Sequence, residues 1–516
     1  MRRMILLGVL GAFLATAPVG SNHARAQSAT GTAAVRQYWQ NHELEILREY
    51  FALLSIPNNA RDQVNIRKNA EFIRDMLEKR GVSARLLETG GSPAVYGELQ
   101  VPGATQTLMF YAHYDGQPAD PSKWVDSKPF EPVLRPRKLL PGSDQPKPVP
   151  LSAVKPPIGE DWRIYARSAS DDKAPIMAIC AALDAMRAAN LKPSSNLKFI
   201  FEGEEEAGST HLKPFCEQNK DLLQADVLFI CDGPVYYSGD PTLYFGVRGI
   251  VTMELTVYGP NTNLHSGHFG NWAPNPAWRL ARLLSTMRDD QGRVLIEHFY
   301  DTVVPLSPAE QEALQAIPRY DEKLMREFGF ARPEGGGKSL MELIQLPSLN
   351  IRGLSSGWTG KQARTIIPAS ATAAIDIRLV KANNPDAMVQ TVIRHIEAQG
   401  YRVLDREPTQ EERLRYPLLA KVIKGHGYPA ARTPMDLPIS QKVIRALKSL
   451  RDRNVVLMPT LGGSVPLYIF VDILHTPTIG VPIVNHDNNQ HQPNENLRVG
   501  HLWQGIETLA ALMMMR

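Results

Sequence analysis

Histidines and acids stand where their spacing could do metal chemistry. His113-Tyr114-Asp115 directly follows the apolar run Thr107–Ala112. A neutral imidazole binds a divalent cation well, and a neighbouring carboxylate can fix its tautomer. Ser170-Asp171-Asp172-Lys173 precedes a helical pattern, where one aspartate could serve only as an N-cap. Glu202-Gly203-Glu204-Glu205-Glu206-Ala207-Gly208-Ser209 follows the run Asn196–Phe201. Adjacent carboxylates repel one another. A cation offsets that cost by binding one of them, and a leftover carboxylate can act as a general base. Asp232 closes the run Asp226–Cys231, and His491 lies far down the chain, with His486 as its rival.

Each signal alone has a plain structural explanation: a polar turn, a helix cap, a solvated acidic loop, a charge at a strand end. Together they offer His, Asp, Glu, Asp and His, most of them beyond the carboxyl ends of strands, where open α/β sheets bind ligands. That set suits zinc or a similar divalent ion. Two ions about 3.5–4 Å apart, sharing a carboxylate, make a hydrolytic clamp.

The elements that must position these residues read as an α/β fold. Ile46, Tyr50 and Leu53, then Ile66, Ile73 and Leu77, recur at helical spacing with a break near Pro57. The runs at 107–112, 196–201 and 226–231 read as buried strands, and Lys173–Ala188 as a helix between them. This predicts a mostly parallel sheet covered on both faces. Near Gly249 the pattern changes. Val251, Met253, Leu255 and Val257 alternate with polar residues, as do Ile375, Ile377 and Leu379, and a helix follows each. Asn384-Pro385 opens the second helix. A smaller α+β unit therefore interrupts the α/β domain. The Pro-dense stretch from about Phe130 to Pro157 reads as a long loop that could narrow a substrate entrance.

The N-terminus has its own character. Arg2 and Arg3 precede an apolar run from Ile5 to Ala17, and Ala24-Arg25-Ala26 offers a small-x-small cleavage site. The run is short for a bilayer span. It predicts export, to the periplasm or the medium, with no stable membrane span after cleavage. Cleavage after Ala26 removes three of the 57 basic residues and none of the 53 acidic ones, leaving a net charge of +1. Neither this balance nor a charged content of 21% points to nucleic acid. Cys180, Cys216 and Cys231 are too few for a disulfide framework, and Cys180 and Cys231 read as small core residues.

From about Tyr38 onward the sequence resembles the M20 family of metallopeptidases, and most of all its carnosine dipeptidase branch. The motifs that carry the resemblance include Tyr111-Ala112-His113-Tyr114-Asp115, Ser170–Lys173, Glu202–Ser209, Asp232 and Leu264-His265-Ser266-Gly267. Further along they include Thr365–Pro368, Ile375–Leu379, Gly462-Gly463-Ser464-Val465-Pro466 and His491–Glu495. The resemblance implies a zinc-exopeptidase-like catalytic domain with a lid and dimerisation domain. The domains are then 1–26 signal peptide, 27–248 catalytic, 249–410 lid and 411–516 catalytic. It implies two divalent ions, zinc before manganese or cobalt. His113, Asp171 and Asp232 hold one, and Asp171, Glu206 and His491 the other. It makes Asp115 the residue that orients His113 and Glu205 the general base toward a metal-bridging water. It sends His265 into the partner subunit's site of a homodimer. Arg378 grips a substrate carboxylate, and Thr365 and Ser464 add hydrogen bonds. Ala166-Arg167-Ser168 and Ala174 depart from the family's usual glycines, which puts the loop shape near Asp171 in question.

The implied function is amide hydrolysis of dipeptides or short peptides with a free C-terminal carboxylate. The alternatives are an N-acyl amino acid hydrolase, an inactive binding protein on the same fold, and a two-metal phosphoesterase. An inactive protein predicts broken ligands, and a phosphoesterase predicts cations placed for phosphate.

Overall fold

The computed structural model describes residues 19–516 apart from 141, 143, 451–453, 464 and 466, with side chains from residue 31 onward. The apolar run Ile5–Ala17 and Ser464 lie outside the described residues. No helix among the described residues is long and apolar enough to cross a membrane.

The eight-stranded main sheet is built outward from Thr107–His113 (β1), whose side chains are almost all buried on both faces. Asn196–Glu202 (β2) and Val227–Ile230 (β3) flank it in parallel. In this register His113 pairs with Glu202 and Tyr111 with Ile230, so His113, the glutamate loop and Asp232 leave the sheet at one edge. The remaining strands mix directions: Ala94–Leu99 runs antiparallel to β2, while Thr478–Gly480 runs parallel to β3. Lys173–Ala188 (α1) is buried along nearly its whole length, packed against the helices Val19–Leu54 and Val499–Met513. This is the mostly parallel α/β architecture that continuous apolar runs predict. At the site edge, Gly203 is required by close approach. A Cβ there would stand 2.4 Å from Tyr114 Oη.

The lid carries a five-stranded sheet in the order Ser348–Ser355, Ser370–Leu379, Gly249–Tyr258, Leu419–Tyr428, Arg402–Leu404. Val251, Met253, Leu255 and Val257 pack with Ile375, Ile377 and Leu379 in one core, beneath the helices Pro276–Ser285 and Pro385–Ala398. The expected lid boundary at 410 is too early. Leu419–Tyr428 pairs with Gly249–Tyr258, and the chain returns to the catalytic domain only at Ala431–Arg432, which pairs with Gly246–Val247. Nor is all of 249–410 lid. The helices Pro308–Ala316 (α2), Asp321–Phe328 (α3) and Leu340–Ile344 (α4) fold back toward the catalytic domain. Ala313 joins the main core, Ile317 and Met341 join the core under the opposite sheet face, and Tyr236 Oη donates to Pro318 O at 2.6 Å.

The Pro-dense stretch is partly ordered as sheet. Val133–Arg135 pairs with Arg163–Tyr165, which pairs in turn with Asn496–Arg498. Its Lys138 reaches Asp487 at 3.1 Å. None of its described residues lines the large cavity described below. All three cysteines are buried and unpaired.

Candidate metal centre and active site

The edge of the main sheet gathers two groups of possible ligands that share one residue. His113, Asp171 and Asp232 form one, and Asp171, Glu206 and His491 the other; within each, the donor atoms lie within 4.8 Å of one another. Asp171 faces both. Its Oδ1 is 3.0 Å from His113 Nε2 and its Oδ2 is 3.0 Å from His491 Nε2. His491 Nε2 lies 3.2 Å from Glu206 Oε2, and His113 Nε2 lies 4.0 Å from Asp232 Oδ2.

Each of these atoms is aimed by its neighbours. His113 Nδ1 lies 3.3 Å from Asp115 Oδ1 and 3.2 Å from its carbonyl, which leaves Nε2 pointing at Asp171. Asp115, wholly buried, also accepts from the backbone N–H groups of Glu205 and Glu206, both at 3.0 Å. One carboxylate thus fixes the histidine and the turn that carries two glutamates. The three adjacent glutamates separate: Glu204 turns away to His211 at 2.8 Å, Glu206 accepts from Gln117 Nε2 at 2.8 Å, and Glu205 faces the cavity. Asp172 makes no side-chain cap bond to α1; it accepts from His113 N at 3.3 Å. The helix-cap role open to one of the aspartates is therefore not what Asp172 does.

The electrostatics fit a cation. Burial, together with the neighbouring Asp171 charge, pushes Asp232 up to about 6 and Glu206 up to about 7. Burial and nearby carboxylates also raise Glu205, with His113 opposing. Asp171 moves the other way: burial opposes ionisation, but hydrogen bonds to His113 and His491 hold its carboxyl below the usual range. Acids crowded at one sheet edge beside two imidazoles have the donor chemistry of a divalent metal centre.

Glu495, the last residue of the His491–Glu495 motif, has a role that the motif alone does not give. Glu495, wholly buried, accepts from Ser170 N and Ser170 Oγ at 2.9 Å and from Asp171 N at 3.0 Å through Oε1. Through Oε2 it accepts from Ser168 N at 2.9 Å and Arg167 Nη1 at 2.7 Å. The loop shape questioned at Ala166-Arg167-Ser168 is held by this carboxylate. Ser168 itself sits at φ 59°, in the left-handed region that glycine enters most easily, and its Oγ accepts from Asn58 Nδ2 at 2.8 Å.

His486 lines the cavity, stacked edge-on to Tyr237, and takes no part in either ligand group. The lid residues stand apart from the cluster. His265 is exposed, with Nδ1 accepting from Gly267 N at 3.0 Å. Thr365, also exposed, accepts at its carbonyl from Ser266 N at 3.0 Å. Arg378 lies on Ser370–Leu379 with its Nε 3.9 Å from Asp376 Oδ2, an ion pair longer than a hydrogen bond. None of the three lines the cavity beside the ligands.

The fold and site define a mixed α/β protein with a carboxylate- and histidine-rich candidate metal centre at one edge of its main sheet. Residues 109–515 match peptidase family M20/M25/M40, and the chain belongs to that family of metallopeptidases, as its motifs imply. The human protein named Beta-Ala-His dipeptidase is 27% identical over 436 residues, covering 82% of this chain and 77% of its own length. The Cys-Gly metallodipeptidase DUG1 of Candida albicans is 26% identical over 490 residues, covering 91% and 93%. The solved structure of the M20 family metallo-carboxypeptidase Sso-CP2 from Sulfolobus solfataricus superposes with a TM-score of 0.72. It is 28% identical and covers 91% of this chain and 98% of that one.

Proposed function

We propose that the chain is an exported dipeptidase that hydrolyses the amide bond of dipeptides or short peptides bearing a free C-terminal carboxylate. The observation that carries this reading is Asp171, whose two oxygens face His113 on one side and His491 on the other, each at 3.0 Å. A carboxylate so placed suits a bridge between two divalent ions, most simply zinc. His113 and Asp232 complete one ligand set; Glu206 and His491 complete the other. Bound there, the ions would supply Lewis acidity, polarising the amide carbonyl and easing ionisation of water near neutral pH.

The protein's own groups do the rest. Asp115 holds His113 so that Nε2 stays available. Glu205, raised in pKa at the cavity wall, takes the proton from the attacking water on its carboxylate and returns it to the leaving amine. Arg378 grips the substrate's terminal carboxylate as a fork. His265, exposed on the lid, reaches the partner subunit's site in a homodimer and donates to the developing oxyanion. Thr365 and Ser464 add hydrogen bonds to substrate. The dipeptidase names of the human and Candida relatives support the substrate class. The Arg2–Ala26 segment supports export.

The test is a dipeptide assay before and after chelation. Hydrolysis is lost with the metal and returns with Zn²⁺; undiminished activity in metal-free protein overturns the reading. Sequencing the N-terminus of the protein recovered outside the cytoplasm gives a start at Gln27, and retention in the cytoplasm with Met1 intact overturns export.

A further inference from the structure

A cavity of about 510 Å³ opens from the metal cluster, with Asp171, Glu205, Asp232 and His491 at one end. Its far wall is of a different nature. Leu340, Met341 and Ile344 of α4 face Leu461 and Val465 of the loop beyond the strand Val456–Met458. This wall is built, not incidental. Ser339 and Glu342 form a reciprocal capping box that fixes the start of α4. Met341, only 6% exposed, anchors the helix in the core. Ile344 approaches the opposite loop so closely that a Cβ on Gly462 would stand 3.1 Å from Ile344 Cδ1. Leu340 nonetheless stays 37% exposed on the cavity lining, an apolar side chain that packing does not use up.

The lining gives the cavity a direction. Among the described residues it includes no lysine or arginine, and Arg378, which the proposed function assigns to the terminal carboxylate, lies outside it. The cavity is therefore left to the other end of a dipeptide, its N-terminal residue. We propose that this cavity reads the side chain of the substrate's N-terminal residue and favours a large apolar one, with Leu340, Ile344 and Leu461 as the residues that set the preference. The inference rests on the dipeptidase reading and names its substrate class. An aliphatic side chain desolvated against this wall gains binding that glycine cannot make.

The test compares Leu-Gly, Gly-Leu and Gly-Gly on the zinc-loaded protein. We expect kcat/KM for Leu-Gly to exceed that for Gly-Gly by about 10- to 100-fold, with no such gain for Gly-Leu. Leu340→Ser and Leu461→Ser, confirmed folded by their melting temperatures, shrink the Leu-Gly to Gly-Gly ratio. Calorimetry on the zinc-loaded Glu205→Gln variant supplies a readout without turnover: Leu-Gly binds more tightly than Gly-Gly by a similar factor. Equal affinities and equal rates overturn the proposal, as does a gain that follows Gly-Leu, or a ratio unmoved in both serine variants. If the wild type cuts no dipeptide while Leu-Gly still binds more tightly, the peptidase reading falls and the apolar subsite stands.

Discussion

Glu495 Oε1 accepts a hydrogen bond from the backbone N–H of Asp171 at 3.0 Å, so the carboxylate shared by both ligand groups is held in place by a second, buried carboxylate. The second oxygen is committed to Ser168 N and Arg167. Glu495→Gln turns one acceptor into a donor facing donors and leaves Arg167 without its buried partner. The expected cost is about 3–5 kcal/mol of stability, with metal affinity about 10- to 100-fold weaker. Urea unfolding and zinc titration check the two effects separately. A variant that loses stability but binds zinc normally shows that Glu495 supports the fold and not the position of Asp171.

Asp115 holds the backbone N–H groups of both Glu205 and Glu206 while their side chains part, which suits them to the different roles proposed above. Glu205→Gln keeps its metal and loses about 10²–10⁴-fold in kcat. Glu206→Gln, next to His491, instead weakens metal retention on dialysis. The opposite pattern in metal content would exchange the two assignments.

Arg378 pairs loosely with Asp376 on the same strand face. A lysine keeps the charge but not the parallel pair of hydrogen bonds that a carboxylate accepts from guanidinium. Arg378→Lys lowers kcat/KM for substrates with a free C-terminal carboxylate. Amidating that carboxylate costs the wild type much and the variant little. Equal losses in both proteins exclude Arg378 as the group that reads the carboxylate.

His501 is a buried histidine on the last helix, and neither ring nitrogen has a hydrogen-bond partner among the described residues. Burial, with Arg498 and Arg163 nearby, lowers it to about 3. Unfolded, its pKa is about 6.5. Between these values the unfolded chain binds a proton that the folded chain refuses. Its contribution is therefore complete above about pH 6.5 and is lost as pH falls toward 3, to the extent of several kcal/mol. His501→Phe removes this share of the acid destabilisation. Unfolding free energies at pH 7 and pH 4 check it, and an unchanged difference between the two pH values in the variant rejects the linkage.

The family, the fold class and the ligand types were legible in the sequence because they are local. His113 and Asp232 lie next to continuous apolar runs, and a buried strand must end where its apolar run ends. The alternation at Val251–Val257 marked the lid sheet for the same reason: period two is a local property. Tertiary structure decided what depends on distant partners. The strand Leu419–Tyr428 belongs to the lid only because Gly249–Tyr258 pairs with it, so the boundary at 410 could not be corrected from spacing. Glu495 stood in a motif but without a role, because a buried acid in irregular chain is defined by donors more than 300 residues away. Reciprocal capping boxes at Ser307 and Ser339 start two short helices. That the second of them, Leu340–Ile344, walls the cavity beside the ligands is a matter of packing: Met341 finds its burial in the molecule's second core, and no period in the chain records which surface a residue will meet.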